Sequence, residues 1–120
     1  MEKKDLEIKH TSRVIYTILD NGSKAYVKYS VNNGIMVLEE TYVPEPFRGR
    51  GIASSLLDYA VEMAEKNNWV INPHCSYAIS YFIKNRDKRK LLIPELRNAS
   101  DDELNRLMMK RREEEARKRL

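Results

Sequence analysis

The sequence predicts an α+β (α/β-like) domain: a mixed, mainly antiparallel sheet of about five strands, with helices on its faces and a helical extension at the C-terminal end. Three observations carry that reading. Alternating apolar stretches in the first third are punctuated by Asp20-Asn-Gly-Ser23 and Asn32-Asn-Gly34, and Asn-Gly is among the strongest hairpin signals. An amphipathic stretch from Ile52 to Asn67 runs into a short apolar segment, a crossover long enough to make the flanking strands parallel. The last twenty or so residues alternate charges of both signs with few apolar positions, as a solvated helix does. The division expected is a polar leader at 1–11, a domain at 12–95 and a charged helix at 96–120.

Taken in order, Ser12 to Leu19 places Val14, Tyr16 and Ile18 on one face of a strand, and Lys24 to Val31 pairs back across the first turn. Ile35 to Val43 is a third strand. Its Ile35-Met-Val-Leu38 run is apolar on both faces, which predicts a central position covered on both sides. Pro44 and Pro46 lack N–H donors and stop the ladder. In the helix that follows, Ile52, Leu56, Leu57, Tyr59, Ala60, Met63 and Ala64 recur at three and four. Trp69 to Asn72 is a short strand ended by Pro73, and Ser76 to Lys84 a second helix with Tyr77, Ala78, Tyr81 and Phe82 on its apolar side. Lys88 to Pro94 is assigned as a last short strand. Ser100-Asp-Asp-Glu103 is a capping box. Beyond it the apolar stripe is only Leu104, Leu107 and Met108, with Glu113–Arg117, Glu114–Lys118 and Glu115–Arg119 spaced as i,i+4 pairs.

With 42% hydrophobic residues the chain can support a core, and a chain of this size buries roughly two-thirds of its unfolded surface. Its apolar runs are too short to span a membrane, Met1 to Asp5 has no apolar signal region, and a lone cysteine excludes an internal disulfide; the cytoplasm is the expected location. The net charge is +4, and Lys84-Asn-Arg-Asp-Lys-Arg-Lys90 alone carries that excess. Such a cluster reads either as a solvated face or as a neighbour of an anionic ligand. Two histidines and one cysteine are too few and too scattered for a metal site.

The chemistry concentrates at Pro44-Glu-Pro-Phe-Arg-Gly-Arg-Gly-Ile-Ala53. Gly49 and Gly51 let main-chain amides approach a ligand, Arg48 and Arg50 add charge, and a helix presents its positive end at the same point. In physical outline this is a phosphate cradle. It lacks the Gly-Lys-Ser/Thr of a P-loop and the third glycine of a dinucleotide fold. Arg48-x-x-Gly51-x-Ala53 after an apolar strand resembles the acetyl-CoA signature of the GNAT superfamily of N-acetyltransferases, and the surrounding run looks most like that superfamily's minimal, single-domain branch. The resemblance covers about residues 12–87 and leaves the tail outside.

The resemblance implies acetyl-CoA as the acyl donor. Its pantetheine would lie along Thr41, Tyr42 and Val43, with its diphosphate on the amides from Arg48 through Gly49, Arg50, Gly51 and Ile52 to Ala53 and Ser54. The branch often carries a cysteine just after a proline at the next strand end, which Cys75 matches, and commonly a proline after it, where Ser76 departs. Cys75 is then a nucleophile, a lining group or a buried small residue. Tyr81 corresponds to the tyrosine that many such enzymes set beside the leaving sulfur; core packing is the other reading. The usual fold places one or two helices after its first strand where this chain has only a turn, which implies an open acceptor side, ready for a protein terminus or lysine or completed by a partner.

A lysine acceptor would be neutral in only about one molecule in 2,500 at pH 7, a handicap of roughly 4.6 kcal/mol, whereas an N-terminal amine would need far less help. Glu39 and Glu40 adjoin the thioester strand and would point to opposite faces, so at most one, here Glu40, is a base candidate. His74 titrates in the useful range. Both also read as solvated side chains, and His10 reads as solvated in its leader. The function expected is acetyl transfer to a primary amine by direct attack. The alternatives are a basic interaction module for nucleic acid or a protein, and an acyl-CoA-binding domain without turnover. The charged tail helix is left free to bind its own domain, a second copy or nothing.

Overall fold

The computed structural model describes residues 6–118. The sheet has five strands in sequence order: β1 (Lys9–His10), β2 (Val14–Ile18), β3 (Lys24–Asn32), β4 (Ile35–Tyr42) and β5 (Val70–Pro73). Neighbours are antiparallel except β4 and β5, which run parallel through Ile35↔Val70 to Leu38↔Pro73. Helix α1 (Ile52–Asn67) makes the crossover, α2 (Ser76–Lys84) follows β5, and α3 (Pro94–Arg97) and α4 (Asp101–Lys118) close the chain.

Helices α1 and α2 lie on one face of the sheet. Leu56, Leu57 and Ala60 of α1 and Ala78 and Phe82 of α2 share a single core with Ile15, Val27, Met36 and Leu38. Among the described residues no helix covers the other face: Tyr16, Tyr26 and Val37 are half-buried, and Ile35 is 37% and Tyr42 40% exposed. The two-sided cover expected for Ile35–Leu38 is therefore corrected. Strands β2 and β3 are joined by a turn alone, and no described element crosses to the second face.

A bulge in β4 sets which side chains reach the core. Tyr29 pairs with Leu38 and Lys28 with Glu40, which leaves Glu39 as an extra residue. The alternation slips by one, so Met36 and Leu38 and then Thr41 and Val43 all turn towards the helices and are buried. The same slip puts Glu39 and Glu40 on one face rather than two. Glu39 accepts a 2.8 Å hydrogen bond from Ser30, and Glu40 lies against Tyr26 and Lys28, all on the uncovered face of β3.

One further expectation is corrected and two are filled in. The leader is part of the sheet as far as the described residues reach: Lys9 and His10 pair with Tyr16 and Ile15, the Thr17 hydroxyl donates to the Glu7 carbonyl at 2.9 Å, and Leu6 and Ile8 pack on the core. His10 is exposed but meets the Tyr59 hydroxyl at 2.6 Å through Nδ1. Lys88–Pro94 is not a strand, since Arg86–Leu91 is a 3-10 turn and only Leu92 bridges β5 at Ile71. Arg89 imposes the bend by folding back to donate to the Phe82 and Ile83 carbonyls at 2.7 and 3.1 Å, which caps the end of α2.

Finally, α4 is docked rather than merely solvated. Its capping box forms, with Ser100 N to Glu103 Oε1 at 2.9 Å and Glu103 N to Ser100 Oγ at 3.1 Å. Asp101 binds Arg86 and Arg89, Leu104 is 0% exposed, and Glu115 reaches the first residue of α2. Glu113–Arg117 pairs at 2.9 Å as spaced, but Glu114 takes Arg111 instead of Lys118, and Arg119 lies outside the described residues.

Candidate active site

β4 outlasts its parallel neighbour. After Leu38↔Pro73 the Leu38 carbonyl accepts two amides, His74 and Cys75, each at 3.0 Å, and the chain turns away into α2. Glu39 to Tyr42 then have no strand beside them on that side among the described residues. The gap opens into a cleft of about 640 Å³ between the end of β4, the loop before α1, and α2, with α4 along its rim.

The loop before α1 is built to leave donors free. Pro44 starts a 3-10 turn at Glu45–Phe47, closed by the Phe47 amide on the Pro44 carbonyl at 2.9 Å. Gly49 and Gly51 sit at φ 81° and 79°, a region that side-chain-bearing residues enter at a cost. Gly51 is the N-cap of α1 and supplies no side chain to the first turn, which also contains no acid. The amides of Gly49 through Ser54 consequently donate to no acceptor among the described residues, at the positive end of a helix.

The arginines behave differently from expectation. Arg48 spends its amide on the Glu45 carbonyl at 3.2 Å and its Nε on the Val43 carbonyl at 2.9 Å, so the free run starts at Gly49. Arg50 stacks on Phe47 at 5.2 Å and is not among the residues lining the cleft. Thr41, Tyr42, Val43, Arg48, Gly49 and Gly51 to Ser54 do line it.

Cys75 caps α2 and is 3% exposed, its Sγ 3.2 Å from the Thr41 hydroxyl and not on the cleft wall. Burial pushes the thiol's pKa up, and the Thr41 contact offsets this only in part. The nucleophilic form is the thiolate, so this environment keeps Cys75 in its less reactive state. His74 beside it is exposed, without a hydrogen bond to the sulfur. Tyr81 lines the cleft, its hydroxyl donating to Asp58 at 2.6 Å. Burial first, then Asp58, push that phenol far above its ordinary pKa. Glu40 is on the uncovered face and away from the cleft wall, accepting from Tyr26 at 3.2 Å with Lys28 at 3.7 Å.

Several lining residues were not foreseen. Ser76, Tyr77 and Ser80 come from α2, and Arg112, Glu115 and Ala116 from α4; Lys84 of α2 joins them from the basic cluster read beside an anionic ligand. The signal for the α4 group was the continuation of its stripe at the same three-and-four spacing, from Leu104 and Met108 to Arg111 and Glu115, carried by charged residues. Of the basic cluster, Arg86 and Arg89 are paired with Asp101 and Lys88 lies 4.0 Å from Glu65, while Lys84 faces the cleft.

A mixed sheet that splays at its one parallel pair, beside a helix whose first amides are unspent, sets a free strand edge and a group of free donors on one cleft. The chain belongs to the GCN5-related N-acetyltransferase family, whose model matches residues 15–91. It is similar to a GCN5-like N-acetyltransferase from Staphylococcus aureus solved by NMR, with a TM-score of 0.61 and 28% identity over 74% of this chain and 89% of that one. The chain is thus an acetyltransferase by family. α3 and α4 lie beyond the matched residues. Among the described residues no helix is long and apolar enough to cross a membrane.

Proposed function

We propose that the protein transfers an acetyl group from acetyl-CoA to a primary amine: a protein N-terminus, a lysine or a small amine. The observation that carries this reading is the unbroken run of unspent amides from Gly49 to Ser54, opening on the same cleft as the unpaired edge of β4. Such donors suit a diphosphate, and an exposed strand edge suits the amides of a pantetheine arm. Lys84 and Arg112, on the cleft wall, add cationic partners for phosphate. An added Cβ at Gly49 meets nothing within 4 Å, so it is the positive φ that calls for glycine there.

Acetyl-CoA supplies the activated acyl carbon. The chain's part is to hold it at the splay, where a strand amide can stabilise the developing oxyanion; removing such a donor typically costs about 2.7–4 kcal/mol. Direct attack by the amine is favoured over an acyl-cysteine because Cys75 is buried, kept protonated and off the cleft wall. Tyr81 lines the cleft and would support the departing thiolate by turning its one hydroxyl proton from Asp58 to the sulfur.

The test pairs binding with transfer. At 100 times its dissociation constant, coenzyme A should stabilise the fold by about 2.7 kcal/mol in a thermal melt. Acetyl-CoA with a mixed panel of amines and peptides should yield acetylated product by mass spectrometry. Binding without product would leave a non-catalytic acyl-CoA domain; no binding at all would overturn the assignment of the cleft.

A further inference from the structure

None of the base candidates read from the sequence lies on the cleft wall. Glu39 and Glu40 sit on the uncovered face, engaged with Ser30, Tyr26 and Lys28, and His74 is exposed outside the lining. Asp58 accepts the Tyr81 proton. Glu115 of α4 is the only carboxylate among the described residues that line the cleft, and no imidazole lines it. Its Oε2 accepts the Ser76 amide at 2.9 Å and its Oε1 accepts the Ser76 hydroxyl at 2.7 Å. The carboxylate is therefore pinned to the start of α2, one residue from the Cys75–Thr41 contact that marks the splay. It forms no ion pair among the described residues, and its two bonds to Ser76 leave a further acceptor site on each oxygen.

An anion held in place, with no cation against it among the described residues and acceptor capacity to spare, is what a protonated amine requires. We propose that Glu115 is the catalytic base of this chain: it binds the acceptor's ammonium in the cleft and removes its proton. The inference rests on the acetyl-transfer reading above. The proton balance is simple. Glu115 takes one proton from the ammonium and passes it to solvent at the half-exposed rim of the cleft. The freed nitrogen pair bonds the acyl carbon, and the carbon–sulfur pair leaves on sulfur. A second nitrogen proton, shed as the carbon–nitrogen bond forms, neutralises the thiolate, so one proton is released per acetyl moved. The group comes from a helix beyond residues 15–91, which makes the tail part of the active site.

The experiment compares the full-length chain with Glu115→Gln, using two small nucleophiles at pH 7: ethylamine, which is protonated, and methoxyamine, which is neutral and needs no base. Thiol release from acetyl-CoA is followed above the uncatalysed rate, with the coenzyme A melting shift as the control for fold and donor binding. The expected result is about a 100-fold loss or more with ethylamine, a change under about threefold with methoxyamine, and an unchanged melting shift. Equal losses with both nucleophiles, or no loss with either, overturn the assignment while leaving acetyl transfer standing. If the native chain accelerates neither nucleophile but acetylates a peptide of the panel, the comparison is made on that peptide at pH 7 and pH 10, and a loss that does not shrink at the higher pH overturns the assignment. If it acetylates nothing in the panel, the transfer reading falls and this inference with it. Should the variant not fold, ethylammonium titrated into the native chain saturated with coenzyme A must shift the Ser76 amide resonance; an unmoved resonance rejects the site.

Discussion

Leu104→Ala distinguishes a docked tail helix from a solvated one by the sign of its effect. In the structure Leu104 is 0% exposed, one turn into α4 and close in sequence to Asp101, which is tied to Arg86 and Arg89. Truncating a leucine this buried removes its transfer free energy and leaves a cavity, together about 2–5 kcal/mol. At about 2.1 cal/mol/K per residue, the unfolding entropy of 120 residues is roughly 250 cal/mol/K, so each kcal/mol moves the melting temperature by about 4 °C. The expected fall is therefore about 8–20 °C in a calorimetric or circular-dichroism melt. Were α4 solvated, the same change would replace leucine by the best helix former and leave the melt level or slightly raised. A fall below about 2 °C, or any rise, refutes the docked helix and removes the support for Glu115 in the cleft.

Gly51→Val forces a β-branched residue into φ 79° at the mouth of the cradle; it should cost about 1–2 kcal/mol in stability and abolish the melting shift with coenzyme A, and a retained shift would exclude these amides as the phosphate site. Tyr81 has its pKa raised in the folded state by burial and by Asp58, so its contribution to stability is present below pH 10 and lost as pH rises through the raised value. Melts between pH 9 and 12 should show the onset of that loss, and Tyr81→Phe should reduce it; parallel curves would show that burial and Asp58 do not hold the phenol as described. Cys75, buried and held as a thiol, should resist iodoacetamide at pH 8 in the native protein and react fully once unfolded. Mass spectrometry should find no acetyl adduct on it after mixing with acetyl-CoA; rapid native labelling or an adduct that passes to an amine would restore a two-step route.

What was legible in the sequence was what is local. Asn21-Gly22 and Asn33-Gly34 close their turns with both glycines and Asn33 at positive φ, and α1 spans Ile52–Asn67 as its periodicity says. The amide cradle could be read because the two prolines, the two glycines and the helix start are adjacent in the chain. The cleft's other walls could not be read in the same way. Arg89 bends the chain only because the carbonyls of Phe82 and Ile83 are within its reach in three dimensions. The edge strand at Lys9–His10 is two residues long and gains its order from Tyr16 and Ile15. α4 carries charged residues where a docked helix usually carries apolar ones, since the surface it meets is partly the polar N-terminus of α2.

The bulge at Glu39 links these observations to function, and its trace was in the sequence all along. Along Ile35-Met-Val-Leu-Glu-Glu-Thr-Tyr-Val43 the side chains suited to the core are Met36 and Leu38, then Thr41 and Val43: even positions first, then odd. An unbroken strand cannot bury both pairs on one face. Carried through without a bulge, it would turn Glu40 and Tyr42 towards the helices and set a carboxylate, with no cation to pair it, in an apolar core. Burying an unpaired charge costs far more than the one unpaired residue of a bulge. The slip therefore resolves in favour of the bulge, and it does so just past Leu38, where β5 departs. Thr41 is thereby brought against Cys75 at the splay, and the acids Glu39 and Glu40 are turned out of the cleft. On the proposed reading, that leaves the position of a base to be filled from elsewhere, by the helix that the domain's own sequence pattern did not require.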